Sequence, residues 1–332
     1  MTTARVAVLG LGNFGTALAR NWAEAGLTVS GWTIEEEVFA SIRDERQNTK
    51  YLPGIALPGV TASVELAETL DGAEIVVLAL PSGVVLDVVE QITPYLTDDQ
   101  HLLDLAKGLA PGDRLISEVI AEKLAIAHRT NTLSVMMGPT IAHELARGVY
   151  TRALISSVDG QVAEMLAAAL STPSLSLSAG ADPRGSELWG AYKNVVALAC
   201  GVVDGLKNDG RAGDNLKAAI FATGYREAVE LLPKLGAANA TAFSAAGVGD
   251  LFVTATSPHG RNREMGERLG KGQTLKEAEG EMVMVSEGVR AARMFKSMCA
   301  NESIVAPFVE AVCGLLDDGG SIDAFLERLM TL

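Results

Sequence analysis

The stretch VLGLGNFGTALAR, residues 8–20, decides the fold of this chain. It places the string G-x-G-x-x-G, formed by Gly10, Gly12 and Gly15, between an apolar run typical of a buried strand and a pattern typical of a helix. In a dinucleotide-binding turn the first glycine permits a tight turn and the second lets the backbone approach the pyrophosphate. The third permits close packing of the helix on the strand. The alternative is a glycine-rich turn in another kind of α/β protein.

The next predicted strand, residues 28–33, supplies the rest of the dinucleotide pattern. Glu35 lies 20 residues after Gly15 and just past this strand, where an acidic residue binds the ribose hydroxyls. Residues 35–37 are all glutamate, and no Arg or Lys follows before Arg43. Because a 2′-phosphate usually requires a cation here, the sequence favours NAD, with NADP as the second candidate. The glutamates are also typical of an exposed first helical turn.

Strand and helix patterns alternate through the first half of the chain, which predicts a mainly parallel sheet. From residue 184 onward the patterns are helical. We therefore predict an α/β Rossmann-type, doubly wound N-terminal domain that binds the dinucleotide (residues 1–183). We predict an all-α C-terminal domain for substrate binding and catalysis (residues 184–332). The predicted strands are 5–10, 28–33, 74–80, 101–106, 133–138, 152–157 and 175–180. The predicted helices include 14–26, 186–208, 214–236 and 305–317, and the predicted loops include 257–264 and 269–274.

Composition excludes several classes of function. The chain has 332 residues and a net charge of −14, so we expect neither a nucleic acid nor an anionic membrane as partner. The three cysteines are scattered, which predicts neither a disulfide framework nor a zinc site, and we expect no bound metal. The sequence contains no long apolar run and no signal-peptide pattern, so we expect a cytoplasmic protein.

Two lysines are candidates for chemistry. Lys107 directly follows the predicted strand 101–106, at the edge where ligands bind in doubly wound sheets, although an ordinary surface lysine also fits. Lys193 borders a stripe of small residues on the predicted helix 186–208. Such a stripe admits either a ligand or another backbone. A lysine there could donate a proton to a carbonyl oxygen, or it could extend to solvent beside packed helices.

A third candidate segment is residues 247–266. Asp250 and Thr254 are four residues apart and share a face if this stretch is helical. Arg261 and Asn262 fall in a predicted loop, where an arginine fork suits a phosphate group. The alternative is a polar loop whose arginine faces solvent.

These pieces together resemble the soluble NAD(P)-dependent glycerol-3-phosphate dehydrogenase family. The matching stretches are GLGNFGTALA, NTKYLPGIALP, AKGL, GPTIAHELARG, GAYKNVVALACGVVDGL, GVGDLFVTATS, GRNREMG and SEGV, and their order covers nearly the whole chain. The resemblance implies reversible hydride transfer between NAD(P)H and dihydroxyacetone phosphate. The product, sn-glycerol 3-phosphate, is the backbone of phospholipids.

The resemblance also implies residue roles. Lys193 is the expected general acid and base, and Lys107 is expected to contact both substrate and cofactor. The expected catalytic residues are Lys193, Lys107, Asp250 and Thr254. The expected substrate-binding residues are Lys107, Gly138, Thr140, Lys193, Asp250, Gly260, Arg261 and Asn262. The expected cofactor-binding residues are Gly10, Gly12, Asn13, Phe14, Gly15, Ile34, Glu35, Lys107, Ala142, Arg261, Val285 and Glu287.

Three positions depart from the pattern of that family. Gly260 stands where a serine is more usual, Thr223 replaces the arginine of an Arg-Gly pair, and Ile34 stands where many bacterial members have Arg or His. Two other functions remain: a related two-domain NAD-dependent hydroxy-acid dehydrogenase, or a dinucleotide sensor without activity. The Arg261–Asn262 pair favours a phosphorylated substrate over the first, and the two lysines favour catalysis over the second. We expect a homodimer.

Overall fold

A mixed β-sheet dominated by parallel pairs forms the frame of the first part of the chain. The computed structural model describes residues 4–207, 210–258, 260–282, 286–317 and 320–332. The chain divides into two units, Met1–Ala110 with Arg114–Pro183, and Pro111–Asp113 with Arg184–Leu332. The assignment of residues 1–183 to the dinucleotide and of 184–332 to substrate and catalysis stays a prediction.

The described strands of the first unit form an eight-stranded sheet and a short antiparallel ribbon. The order in the sheet is β10-β9-β8-β5-β4-β1-β2-β3, with parallel pairing except between β8 and β9. The strands are β1 Arg5–Leu9, β2 Thr28–Trp32, β3 Val60–Ser63, β4 Ile75–Leu78, β5 His101–Asp104, β6 Leu109–Ala110, β7 Arg114–Leu115, β8 Leu133–Met137, β9 Thr151–Ser157 and β10 Leu175–Gly180.

Helices cover both faces of this sheet, as a doubly wound fold requires. Along β1, Val6 and Val8 belong to one apolar cluster, and the alternating Ala7 and Leu9 belong to a second. A strand that is apolar on both faces is the signature of a sheet with helices on each side. The helices of this unit are α1 Asn13–Glu24, α2 Glu36–Glu45, α3 Leu66–Leu70, α4 Val85–Ile92, α5 Ile116–Ile126, α6 Ala142–Leu145 and α7 Gly160–Leu170.

The described part of the second unit is helical. Its longest helix, α8, has 24 residues and starts with Pro183, which suits a first helical position. The helices are α8 Pro183–Leu206, α9 Asp214–Leu231, α10 Asp250–Thr256, α11 Arg261–Gly270, α12 Leu275–Glu281, α13 Glu287–Asn301, α14 Pro307–Leu316 and α15 Ile322–Met330. The predicted fold class, an α/β Rossmann-type unit followed by an all-α unit, is confirmed.

The structure corrects three local predictions. The loop predicted at 257–264 is wrong from residue 261, because α11 begins at Arg261 with Gly260 as its N-cap. The helix predicted at 214–236 ends at Leu231 and continues as a 3₁₀ turn that contains Pro233, because proline lacks the N–H that an α-helix needs. Strand β3 was missed because it is short and lies at the sheet edge.

Candidate active site

The glycine turn joins β1 to α1 in the first unit. Gly10 has φ +103°, and a Cβ atom there would lie 2.6 Å from the Ala79 carbonyl oxygen. A Cβ atom on Gly15 would lie 1.9 Å from the Gly10 oxygen, so only glycine allows α1 to approach β1 this closely. Gly12 is the N-cap of α1, and no described atom lies within 4 Å of its Cβ position. The first N–H groups of α1, from Asn13 onward, therefore begin beside open space, an arrangement that suits an anion.

The buried side chain of Asn48, which sequence analysis missed, stabilises this turn through hydrogen bonds. The Asn48 side-chain amide donates to the Leu11 carbonyl oxygen at 2.8 Å and to the Thr16 hydroxyl at 2.9 Å. The Thr16 hydroxyl in turn donates to the same Leu11 oxygen at 2.9 Å. Asn48 begins the stretch NTKYLPGIALP, which was noted as a family motif without a role for its first residue.

The carboxyl end of β2 carries a cluster of charge. Glu35 is the N-cap of α2, and its carboxylate accepts a hydrogen bond from the Tyr51 hydroxyl at 2.6 Å and forms an ion pair with Lys50. Lys50 also pairs with Glu37, and its hydrogen bond to Glu35, together with that of Tyr51, lowers the pKa of Glu35. The fold thus brings a cation, Lys50, to Glu35 from beyond α2, which the sequence between Glu35 and Arg43 did not reveal. The side chain of Ile34 is exposed beside this cluster.

Lys107 lies at the carboxyl ends of two neighbouring strands, β5 and β8. Its Nζ atom donates to the Gly138 carbonyl oxygen at 2.9 Å and to the Thr140 hydroxyl at 3.2 Å. Gly138 has φ +150°, and a Cβ atom there would lie 2.9 Å from Ala153 Cα, so this position requires glycine. The structure thus brings together three predicted site residues, and Ala142 begins the short helix α6 just beyond them.

Lys193 and Asp250 form a buried ion pair in the second unit. The Nζ atom of Lys193 donates to Oδ1 of Asp250 at 2.5 Å, and the side chains are only 6 % and 2 % exposed. Thr254, one turn further along α10, donates its hydroxyl to the Asp250 carbonyl oxygen at 2.7 Å. The interpretation that Lys193 extends to solvent is wrong. A buried ammonium held by a carboxylate fits either a structural ion pair or a positioned proton donor.

The small-residue stripe of α8 packs against the backbone of α11. A Cβ atom on Gly201 would lie 2.1 Å from the Arg263 oxygen, and one on Gly266 would lie 2.0 Å from the Leu198 oxygen. The carboxylate of Asp204 on α8 strengthens the contact, because it pairs with Arg263 of α11 at 2.8 Å. Of the two interpretations of the stripe, close approach of another backbone is what the structure shows along this length.

The predicted phosphate residues lie at the beginning of α11. Arg261 and Asn262 are its first two residues, not part of a loop, and the Arg261 side chain is exposed. The Asn262 amide donates to Asn194 at 2.8 Å, so it connects α11 to the residue that follows Lys193. Glu287 is the first residue of α13. Val285, also predicted at the cofactor, lies outside the described residues.

Comparison with known proteins identifies the family. Models of the NAD-dependent glycerol-3-phosphate dehydrogenase N-terminus and C-terminus match residues 5–163 and 182–327. Glycerol-3-phosphate dehydrogenase [NAD(P)+] of Clostridium perfringens is 36 % identical over 98 % of this chain and 97 % of its own length. The enzyme of that name from Rhodospirillum rubrum is 38 % identical over 98 % of this chain and 92 % of its own.

This chain belongs to the NAD-dependent glycerol-3-phosphate dehydrogenase family. The solved glycerol-3-phosphate dehydrogenase of Coxiella burnetii is 29 % identical, with a TM-score of 0.90 over 99 % of both chains. Membership in the glycerol-3-phosphate dehydrogenase family confirms the resemblance inferred from the sequence motifs. It does not test the individual site residues, whose roles stay predictions.

Another buried carboxylate, missed by sequence analysis, contacts Tyr192, the residue that precedes Lys193. Glu227 of α9 accepts the Tyr192 hydroxyl at 2.9 Å, and the backbone N–H groups of Phe308 at 2.6 Å and Val309 at 3.1 Å. Burial raises the pKa of Glu227, although these three hydrogen bonds oppose the shift. The carboxylate thereby caps the beginning of α14 and anchors Tyr192, the neighbour of Lys193.

Two features of the described residues bear on partners. No helix among them combines the length and the apolar character needed to cross a bilayer. Within the same residues, no group of three or more His, Cys, Asp or Glu side chains is placed to hold a metal ion. The expected absence of a metal stays a prediction.

Proposed function

We propose that this protein catalyses reversible hydride transfer between NAD(P)H and dihydroxyacetone phosphate, with sn-glycerol 3-phosphate as the product. The observation that carries the proposal is the buried pair of Lys193 and Asp250. Both relatives compared above are named for this activity.

Lys193 supplies the proton in this mechanism. As the hydride reaches the carbonyl carbon, negative charge develops on the carbonyl oxygen, and the Lys193 ammonium stabilises this charge and transfers a proton to it. The lysine is left as a neutral amine, which regains a proton from solvent. In the reverse direction the amine takes the proton of the substrate hydroxyl. Asp250 orients the ammonium, and Thr254 restrains the same turn of α10.

The net charge of −14 makes a local cation necessary for binding the substrate phosphate. We assign the phosphate to Arg261 and Asn262, because an arginine fork and the first N–H groups of a helix both favour an anion. Gly260 offers no side-chain hydroxyl at this point, so backbone N–H groups would replace that hydrogen bond. Thr223, the other departure, lies partly buried on α9. We assign Gly138, Thr140 and Lys107 to the remainder of the substrate.

The first unit has the features that a nicotinamide dinucleotide requires. The open space at Gly12 and the beginning of α1 fit a pyrophosphate, and the carboxylate of Glu35 fits the ribose hydroxyls. The exposed Ile34 offers an apolar surface for the adenine ring. When bound, the nicotinamide ring supplies or accepts the hydride. We assign Asn13, Phe14, Ala142, Val285 and Glu287 to the same cofactor.

We also propose a homodimer in the cytoplasm. The aromatic side chains of Phe243 and Phe252 are 74 % and 58 % exposed, which gives the second unit apolar surface for a second copy to cover. The three cysteines are free and buried, as is usual in a reducing compartment. Sedimentation equilibrium of the purified chain would test the dimer, and a monomeric mass at micromolar concentration would contradict it.

The function is tested by following NADH oxidation with dihydroxyacetone phosphate. The same assay is repeated with NADPH and with unphosphorylated dihydroxyacetone. We expect rapid turnover with the phosphate ester and a much lower kcat/KM with the free ketone. Tight NADH binding without turnover of dihydroxyacetone phosphate would contradict the proposal and favour a hydroxy acid or a sensor function.

A further inference from the structure

The side chain of Asn262 joins three segments of the second unit. Its Nδ2 atom donates to Oδ1 of Asn194 on α8 at 2.8 Å. Its Oδ1 atom accepts from the Ser286 hydroxyl at 2.9 Å and from the Gly288 backbone N–H at 2.8 Å. Asn262 itself is the second residue of α11. The nitrogen of this one amide donates a hydrogen bond and its oxygen accepts two, so the side chain connects α8, α11 and the beginning of α13.

Each of the three segments carries a residue to which the proposed function assigns a role. These residues are immediate sequence neighbours of the groups that the amide joins. We call the Asn262 side chain and its three hydrogen bonds the joint. A shift of the joint would move all of these residues. The neighbours are Lys193 beside Asn194, Arg261 beside Asn262, and Glu287 between Ser286 and Gly288.

The joint also replaces an ordinary helix cap. Ser286 occupies the N-cap position of α13, but its side chain makes no capping hydrogen bond to that helix. Its hydroxyl donates to Asn262 instead, and the oxygen of Asn262 accepts one of the N–H groups that a helix leaves without an internal partner. A Cβ atom on Gly288 would lie 2.7 Å from the Asn194 carbonyl oxygen, so glycine is needed for α13 to begin this close to α8.

We propose that Asn262 is a positioning residue. Its side-chain hydrogen bonds fix the beginning of α11, which carries Arg261, relative to Lys193 on α8 and to Glu287 at the beginning of α13. The proposal rests on the proposed function and goes beyond a phosphate contact. A residue that only binds phosphate changes the reaction of phosphorylated substrates. A residue that sets the positions of Lys193 and Glu287 changes every reaction of the enzyme, because small displacements of reacting groups are costly in rate.

The experiment compares Asn262→Ala with Arg261→Ala, and uses Asn301→Ala as a matched control at the exposed far end of α13. Each variant is assayed with dihydroxyacetone phosphate and with dihydroxyacetone, and NADH affinity is measured by fluorescence titration. We expect Asn262→Ala to lower kcat/KM at least about tenfold for both substrates and to weaken NADH binding. Arg261→Ala should instead lose activity chiefly on the phosphate ester. A loss in Asn262→Ala confined to the phosphate ester, with NADH binding as in the unmodified enzyme, would overturn the proposal.

Ser286→Ala provides an independent test if Asn262→Ala fails to fold. It removes one hydrogen bond of the joint and leaves the amide in place, so we expect smaller losses in the same two measurements. NADH affinity and dihydroxyacetone turnover equal to those of the control variant would contradict the proposal. If the unmodified enzyme fails to reduce dihydroxyacetone phosphate, the proposed function is wrong. The NADH affinities of the two variants still decide whether Asn262 positions the segment at Glu287.

Discussion

Replacement of Lys193 by methionine separates the proposed catalytic role of this lysine from its role in stability. Methionine has a similar length and no charge, so the variant leaves the Asp250 carboxylate buried without its ion-pair partner. The two side chains are 6 % and 2 % exposed and 2.5 Å apart, so the loss of one charge costs about 3–5 kcal/mol of folding free energy. For a unit of roughly 150 residues this corresponds to a Tm lower by about 10 °C.

We expect Lys193→Met to lose activity even where it is fully folded, because it lacks the general acid. General acid catalysis contributes about 10²–10⁴-fold, so kcat should fall at least about a hundredfold, or about 2.7 kcal/mol in the barrier. NADH affinity should stay nearly unchanged. The double variant Lys193→Met, Asp250→Asn removes both charges. We expect it to recover most of the lost Tm and none of the lost activity, because a buried pair is costly to break and nearly neutral to remove.

Calorimetry, stopped-flow NADH oxidation and fluorescence titration of NADH provide the three measurements. A single variant with undiminished kcat would refute the role of Lys193 as general acid. A single variant as stable as the double variant would refute the argument that the two charges compensate each other in the folded chain. A parallel loss of NADH affinity would assign Lys193 to the cofactor instead.

Three further predictions use other parts of the chain. Lys50 is the cation beside Glu35 that would contact the 2′-phosphate of NADPH. Lys50→Ala should therefore lower kcat/KM for NADPH, relative to kcat/KM for NADH, roughly tenfold. An unchanged ratio would exclude Lys50 as a selectivity residue. Glu227→Gln should cost about 1–3 kcal/mol in urea unfolding, because one carboxylate oxygen becomes an amide NH₂ group that faces the backbone N–H of Phe308 or of Val309 and can no longer accept its hydrogen bond; stability equal to the unmodified enzyme would contradict this. Burial alone would raise the pKa of Asp204, but hydrogen bonds from two lysines and an arginine lower it, so the folded pKa lies below the unfolded one. Its carboxylate therefore stabilises the fold above about pH 4, and this contribution disappears as pH falls through the folded pKa, so Asp204→Asn should flatten the acid limb of a Tm–pH curve.

The parts of the site that sequence analysis predicted depend on short-range patterns and on one general rule of topology. The strand, the glycine turn and the helix are consecutive, so the roles of Gly10 and Gly15 in the turn follow from spacing alone. The rule that ligands bind where parallel strands end predicts a role for Lys107, whereas Gly138 and Thr140 follow only from the family resemblance; the structure places all three side by side. These contacts form even though 31 residues separate Lys107 from Gly138 in the chain.

The parts that sequence analysis missed depend on contacts that no local pattern records. Lys50 reaches Glu35 from beyond the whole of α2, so the sequence between Glu35 and Arg43 gives no sign of this cation. The beginning of α11 was hidden because Pro258 and Gly260 are typical of a loop. Gly260 is instead an N-cap, a position that glycine also favours.

The small residues of α8 show why a single helix was not enough to decide between a ligand and a packed backbone. The structure places the backbone of α11 against Gly201 and Gly288 of α13 against the backbone of Asn194, and neither glycine leaves room for a side chain. The same close packing brings Asn262 within hydrogen-bond distance of Asn194, the residue next to Lys193. The two interpretations are therefore linked. The space beside the small residues of α8 is filled by the backbone of α11, and α11 carries Asn262, which we assign to the phosphate. Close packing of α8 with α11 thus fixes Asn262 relative to Asn194, and under the proposed function it would hold the phosphate segment and the general acid in one set of helices.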